Sequence, residues 1–143
     1  MPEMDFPTET LRRWEPLGGL PEQMLATVDV MSNGTTLVAT AYYDDTTISC
    51  PVRLDFGKVE AFKIYEEFSD PTISSPPPMM REPILGTVPW PFQEVVNSNW
   101  VRGVLTRNGA LNGRSWQHFT IVTVDVILHV MTDWPFKAER IDR

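Results

Sequence analysis

The sequence predicts an α+β domain: a strongly curved, mostly antiparallel sheet of about six or seven strands, with one main helix near residues 98–107. Three observations predict it. Residues 24–68 alternate apolar and polar around turn residues. Residues 117–131 sort into one apolar and one mixed face when folded at the middle. Between them, a serine precedes a short apolar-periodic stretch that ends in Asn-Gly.

The meander starts at Asn33-Gly34, a dipeptide that supports a two-residue hairpin turn because both positions need positive φ. Pairing outward puts Val30 opposite Leu37, Val28 opposite Ala39 and Ala26 opposite Ala41, all on one face. A second turn at Asp44-Asp45 puts Ala41 opposite Ile48, Ala39 opposite Cys50 and Leu37 opposite Val52, choosing the same face again. The third strand then turns Ile48, Cys50, Val52, Leu54 and Phe56 inward. A three-residue loop, Phe56-Gly57-Lys58, leads to a fourth strand with Phe62 opposite Val52 and Ile64 opposite Cys50; a two-residue turn there would put Lys63 on the core face. The stretch from Ser69 to Pro91 holds seven prolines and reads as a stiff surface strap, partly polyproline II.

Residues 92–96, FQEVV, read as a short strand. Ser98 is an N-cap for the helix NWVRGVLTRN, which ends at Asn108-Gly109 and turns Trp100, Val104 and Val101 toward the sheet. The stretch SWQHFTIVTVDVILHV carries both histidines of the chain. As one strand from Gln117 to Met131 it would run about 50 Å at roughly 3.3 Å per residue, far beyond the usual length. Reversed at Val124-Asp125, it gives one face of Phe119, Ile121, Thr123, Val126, Leu128 and Val130, and another of His118, Thr120, Val122, Ile127, His129 and Met131. His118 is then diagonal to His129, roughly 7–8 Å away at Cα, and the pair reads as polar residues of a half-exposed sheet face.

Composition bounds the function. The 143 residues suit a single domain spanning 1–143, and the lone Cys50 excludes an internal disulfide. A net charge of −7, from 12 basic against 19 acidic residues, speaks against nucleic-acid binding and suits a basic protein partner. With no signal segment and no apolar run of about 20 residues, the expectation is a cytoplasmic protein away from membranes. No P-loop, dinucleotide fingerprint, nucleophile elbow or HExxH motif occurs, so no catalytic residue, cofactor or metal is assigned. The candidate contact residues are Trp90, Trp116, His118, His129 and Trp134, with the carboxylates Asp44, Asp45, Glu66 and Glu67 gathered at one end of the meander.

The C-terminal third resembles small stand-alone bacterial proteins of unknown function. The residues that carry this are Asn97, Ser98 and Trp100, followed by His118, Phe119, Ile121, Thr123, Asp125 and Val130, within about 35 residues. The resemblance implies an α+β domain of a kind found singly, with some members near toxin or interbacterial-competition loci; it transfers no catalytic residue. Three readings follow: an acidic, non-catalytic protein-binding module of immunity-like or regulatory kind; a ligand binder or enzyme with a pocket in the curved sheet rimmed by Trp and His; and an assembly subunit, such as a homodimer, joined through a sheet edge.

Overall fold

The computed structural model describes residues 8–44, 50–66 and 90–141. The expected turn at Asp44-Asp45, Ile48, the proline strap, and the candidates Asp45 and Glu67 fall wholly or partly outside these residues. In chain order the strands are β1 (Thr10–Arg13), β2 (Leu25–Ser32), β3 (Thr36–Tyr43), β4 (Val52–Lys58), β5 (Ala61–Glu66) and β6 (Phe92–Val96). Helix α1 (Asn99–Arg107) and a short 3-10 turn (Gly109–Leu111) follow, then β7 (Gln117–Val122), β8 (Val126–Thr132) and β9 (Lys137–Arg140). The antiparallel β character with one helix is as expected. The single curved sheet is not: the described strands form two sheets, ordered β1-β6-β7-β8-β5 and β2-β3-β4-β9.

The two sheets bury one shared apolar core. Leu25, Val28, Leu37, Ala39, Ala41, Val52, Leu54 and Phe56 come from the four-stranded sheet; Phe92, Phe119, Ile121, Leu128 and Val130 come from the five-stranded one. Trp14 lies among the rings, with centroids 4.3 Å from Phe119, 5.0 Å from Phe136 and 6.0 Å from Phe92. Burying each such side chain contributes roughly 1.5–3 kcal/mol, so this layer holds the sheets together.

Most of the meander keeps its expected faces but not its pairing; a bulge between Leu25 and Thr27 puts Leu25, not Ala26, in the core. Val28 lies opposite Ala41 and Val30 opposite Ala39, a slip of two residues. The reason is Asn33: its Oδ1 accepts from the Thr35 and Thr36 backbone N–H groups at 3.1 and 3.0 Å, so the turn centres one residue later. In the next pair Ala41 lies opposite Val52 and Ala39 opposite Leu54, a slip of four. Even slips preserve the face, because side chains alternate with period two.

The fourth strand is the larger correction. Phe56-Gly57-Lys58 is no hairpin loop; β4 runs through it with a bulge, Leu37 facing Gly57 and Val38 facing Asp55. Gly57 has φ 62°, its N–H donates to Asp55 Oδ1 at 2.9 Å, and a Cβ there would sit 2.4 Å from the Trp134 ring. Only glycine fits this position. The chain then leaves the four-stranded sheet: Val59 N–H donates to Thr35 O, and Glu60 N–H donates to Met131 O, both at 2.9 Å. β5 therefore pairs with β8, placing Phe62 opposite Val130 and Ile64 opposite Leu128, not opposite Val52 and Cys50.

The C-terminal hairpin forms as expected. Phe119 pairs with Val130 and Ile121 with Leu128, and Thr123 N–H donates to Val126 O at 2.9 Å across the Val124-Asp125 turn. Thr123 Oγ1 accepts from the Asp125 and Val126 N–H groups, which stabilises a turn that holds the β-branched Val124. β1 and β9 have no counterpart in the sequence reading. Both are four-residue edge strands, fixed by tertiary pairing with β6 and β4.

A buried serine–histidine chain as the candidate functional site

One face of β7 and β8 turns to the shared core, so the alternate face looks away from it. His118 sits opposite Met131 and His129 opposite Thr120, the diagonal arrangement expected. The face is not half-exposed, however: His118 is 3% and His129 0% accessible. Helix α1 lies over this face. The Trp100 ring stands 4.8 Å from His118 and 6.1 Å from His129, and Val101 is buried.

Three side chains meet beneath the helix. Ser98 Oγ lies 2.7 Å from His118 Nδ1, and His118 Nε2 lies 2.8 Å from His129 Nδ1. Ser98 also caps the helix as expected, accepting from Val101 N–H at 3.1 Å. Two local features aim it. Val95 pairs with His118, which brings the end of β6 beside β7, and Asn97 at φ 58° turns the chain sharply into the helix. Asn99 N–H donates to Glu9 Oε1 at 2.8 Å, satisfying another free donor of the helix start.

The protons are constrained. A single proton fits the N···N gap of 2.8 Å, so two neutral rings complete the chain in either direction. Burial first, then the nearby His129 and Lys63, push the His118 pKa down to about 2. Such an imidazole stays neutral at ordinary pH and is a feeble general base. Ser98 is 7% accessible, so its oxygen meets little solvent. Chemically, the chain fastens α1 to the sheet by satisfying every step of a buried polar path.

Lys63 adds a second fastening. It lies opposite His129 on β5, and its Nζ sits 4.7 Å from the Trp100 ring and 5.0 Å from the Tyr65 ring.

The other expected contact residues lie apart from this pair. Trp90 is buried in the core between the sheets, on the opposite side of the five-stranded sheet; its indole N–H donates to Trp14 O at 2.8 Å, and the Arg13 guanidinium stacks 3.8 Å over its ring. Trp116 is half-buried, donates to Leu111 O at 2.9 Å and lies 4.9 Å from Arg114. Trp134 is 46% accessible and packs on Gly57. Asp44 follows β3, with its N–H on Met24 O, while Glu66 ends β5 opposite Val126. An open depression of about 400 Å³ is lined by Arg102, Gly103, Leu105, Thr106 and Asn112, none of them in the histidine chain.

Sequence reasoning named both histidines and the Ser98 cap but missed the bond between Ser98 and His118. The signal that would have exposed it is the pairing of 92–96 with 117–122. It also missed Glu60, Phe62 and Ile64, which the expected meander would have buried or paired elsewhere. Among the described residues no group of three or more His, Cys, Asp or Glu is placed to hold a metal, and no helix is long and apolar enough to cross a membrane. Comparison of the chain with protein-family models, with curated proteins and with solved structures finds no match.

Proposed function

We propose that this chain is a non-catalytic protein-binding module, of immunity-like or regulatory kind, whose partner presents a basic surface. One observation carries the reading. Along β5 the even-numbered residues form an accessible row: Phe62 is 39% and Ile64 45% accessible, and the exposed carboxylates Glu60 and Glu66 bracket them. Apolar contact area rimmed by charge is how protein interfaces are commonly built. The net charge of −7 extends the same preference over the whole molecule. The histidine chain does not compete with this reading, because its base is weak and its serine is covered.

The test is affinity capture from the native host, with the wild-type chain and the Phe62→Ser/Ile64→Ser variant as baits. A basic protein retained by the first, lost from the second and released by raised salt is the expected result. Identical captured sets from both baits would remove the proposal.

A further inference from the structure

We infer that the partner element is an extended segment that adds to the edge of β5 opposite β8, which no described residue pairs with, as a further strand, with basic side chains at its two ends and apolar ones between. The inference rests on the protein-binding reading and adds to it the conformation and residue pattern of what is bound.

β5 is the last strand of its sheet, with β8 as its one neighbour among the described residues. Alternate residues of such a strand turn N–H and C=O groups to the open side, where an incoming strand can pair with them. The odd-numbered face is already engaged, since Lys63 and Tyr65 lie beside Trp100 and His129. This holds the strand in place before anything binds, which lowers the cost of ordering it. The even-numbered face is the accessible one.

Cross-strand neighbours lie about 4.5–5.5 Å apart, so the row dictates its complement. Carboxylates at 60 and 66 ask for Lys or Arg, and Phe62 and Ile64 ask for apolar side chains. The matching segment reads basic–x–apolar–x–apolar–x–basic over seven positions.

A second copy of this chain fits badly. Antiparallel self-pairing that sets Phe62 against Ile64 also sets Lys63 against Lys63 and Glu60 against Glu66, the latter twice. Like charges directly opposed are destabilising. The edge therefore favours a different chain.

The experiment titrates the isotope-labelled full chain with the capped peptide Lys-Thr-Ile-Thr-Ile-Thr-Lys, followed by amide exchange. Slowed exchange at alternate β5 amides is expected, with at least tenfold weaker binding of Glu-Thr-Ile-Thr-Ile-Thr-Glu. The Glu60→Lys/Glu66→Lys variant should reverse that preference. Equal affinity for both peptides, or protection mapping away from β5, would overturn the inference. If neither peptide binds while the Phe62→Ser/Ile64→Ser bait still loses a basic host protein, strand addition fails and the binding reading stands. If that bait loses nothing either, both fail.

Discussion

The two faces of the β7–β8 hairpin are both buried, but by different physics. Toward the four-stranded sheet, Phe119, Ile121, Leu128 and Val130 meet other apolar groups, and each contact is non-directional. Toward α1, His118, Thr120 and His129 are equally inaccessible, and there burial requires each polar atom to find a partner in a fixed geometry. The first face tolerates small shifts of its neighbours. The second holds one helix position, because a displaced Ser98 would leave His118 without its bond. Alternation along one strand thus produces a layer that supplies bulk stability and a layer that specifies where the helix sits.

The largest expected effect comes from the apolar side. Phe119→Ala removes a ring packed between Trp14, Phe56 and Phe136, with centroids at 4.3, 6.0 and 5.7 Å. A cost of about 3–5 kcal/mol in urea unfolding is expected, without pH dependence of its own. A loss under about 1 kcal/mol would mean that the sheets are not held by this layer.

The polar side should respond less, and differently. His118→Leu removes one hydrogen-bond partner each from Ser98 Oγ and His129 Nδ1 and should cost about 1–3 kcal/mol. His129→Leu should cost a similar amount. The double variant should cost less than the two together by about 0.5–3 kcal/mol, because it removes both members of one bond. Strict additivity would show that the 2.8 Å contact carries no coupling. The pH profile sharpens the contrast. His118 is lowered from 6.5 to about 2 in the folded chain, so below pH 6.5 the unfolded state binds a proton that the folded state refuses. Stability from this group is complete above 6.5 and falls as the pH drops toward 2, by about 1.4 kcal/mol per pH unit at most. His118→Leu should flatten the profile relative to wild type in that window, whereas Phe119→Ala should shift it without changing its slope.

How much of this was legible follows from the same contrast. The choice of face was readable for Ala39, Ala41, Val52 and Leu54 as for Phe119 and Val130, because period two survives slips of two or four residues, but not for Phe62 and Ile64, whose strand joins the other sheet. Register was readable in the C-terminal hairpin but not at Asn33-Gly34, where Asn33 reshaped its turn through side-chain bonds that two-residue turn rules do not include. Sheet membership was not either. Asp55-Phe56-Gly57 has the composition of a turn, yet it forms a bulge packed against Trp134, distant in sequence, before β5 joins the other sheet. For the candidate site, the hairpin and the Ser98 cap were local features and could be read. Their meeting depends on the pairing of Val95 with His118, and the accessible row on β5 depends on the crossover. Long-range pairings of this kind leave little local trace.

Tyr43 supplies the smallest effect and a control for the histidine chain. Its hydroxyl is buried without a hydrogen-bond partner among the described residues, the reverse of the satisfied path beneath α1. Burial raises its pKa to about 12, with Arg140 opposing. The folded chain therefore resists deprotonation: stability from this group is complete below pH 10 and falls as the pH rises from 10 toward 12. In water the unfolded phenol is hydrated, so the folded hydroxyl has lost bonds that no described residue replaces. Tyr43→Phe deletes that unmet group and keeps the ring against the core. Stability at neutral pH should be unchanged or rise by up to about 1 kcal/mol, and the late-titrating tyrosine should vanish from an ultraviolet pH titration. A loss of 1 kcal/mol or more would mean that the hydroxyl is bonded after all. The rule drawn from the hairpin, that a buried polar group stabilises only when its path is complete, would then lose its counterexample.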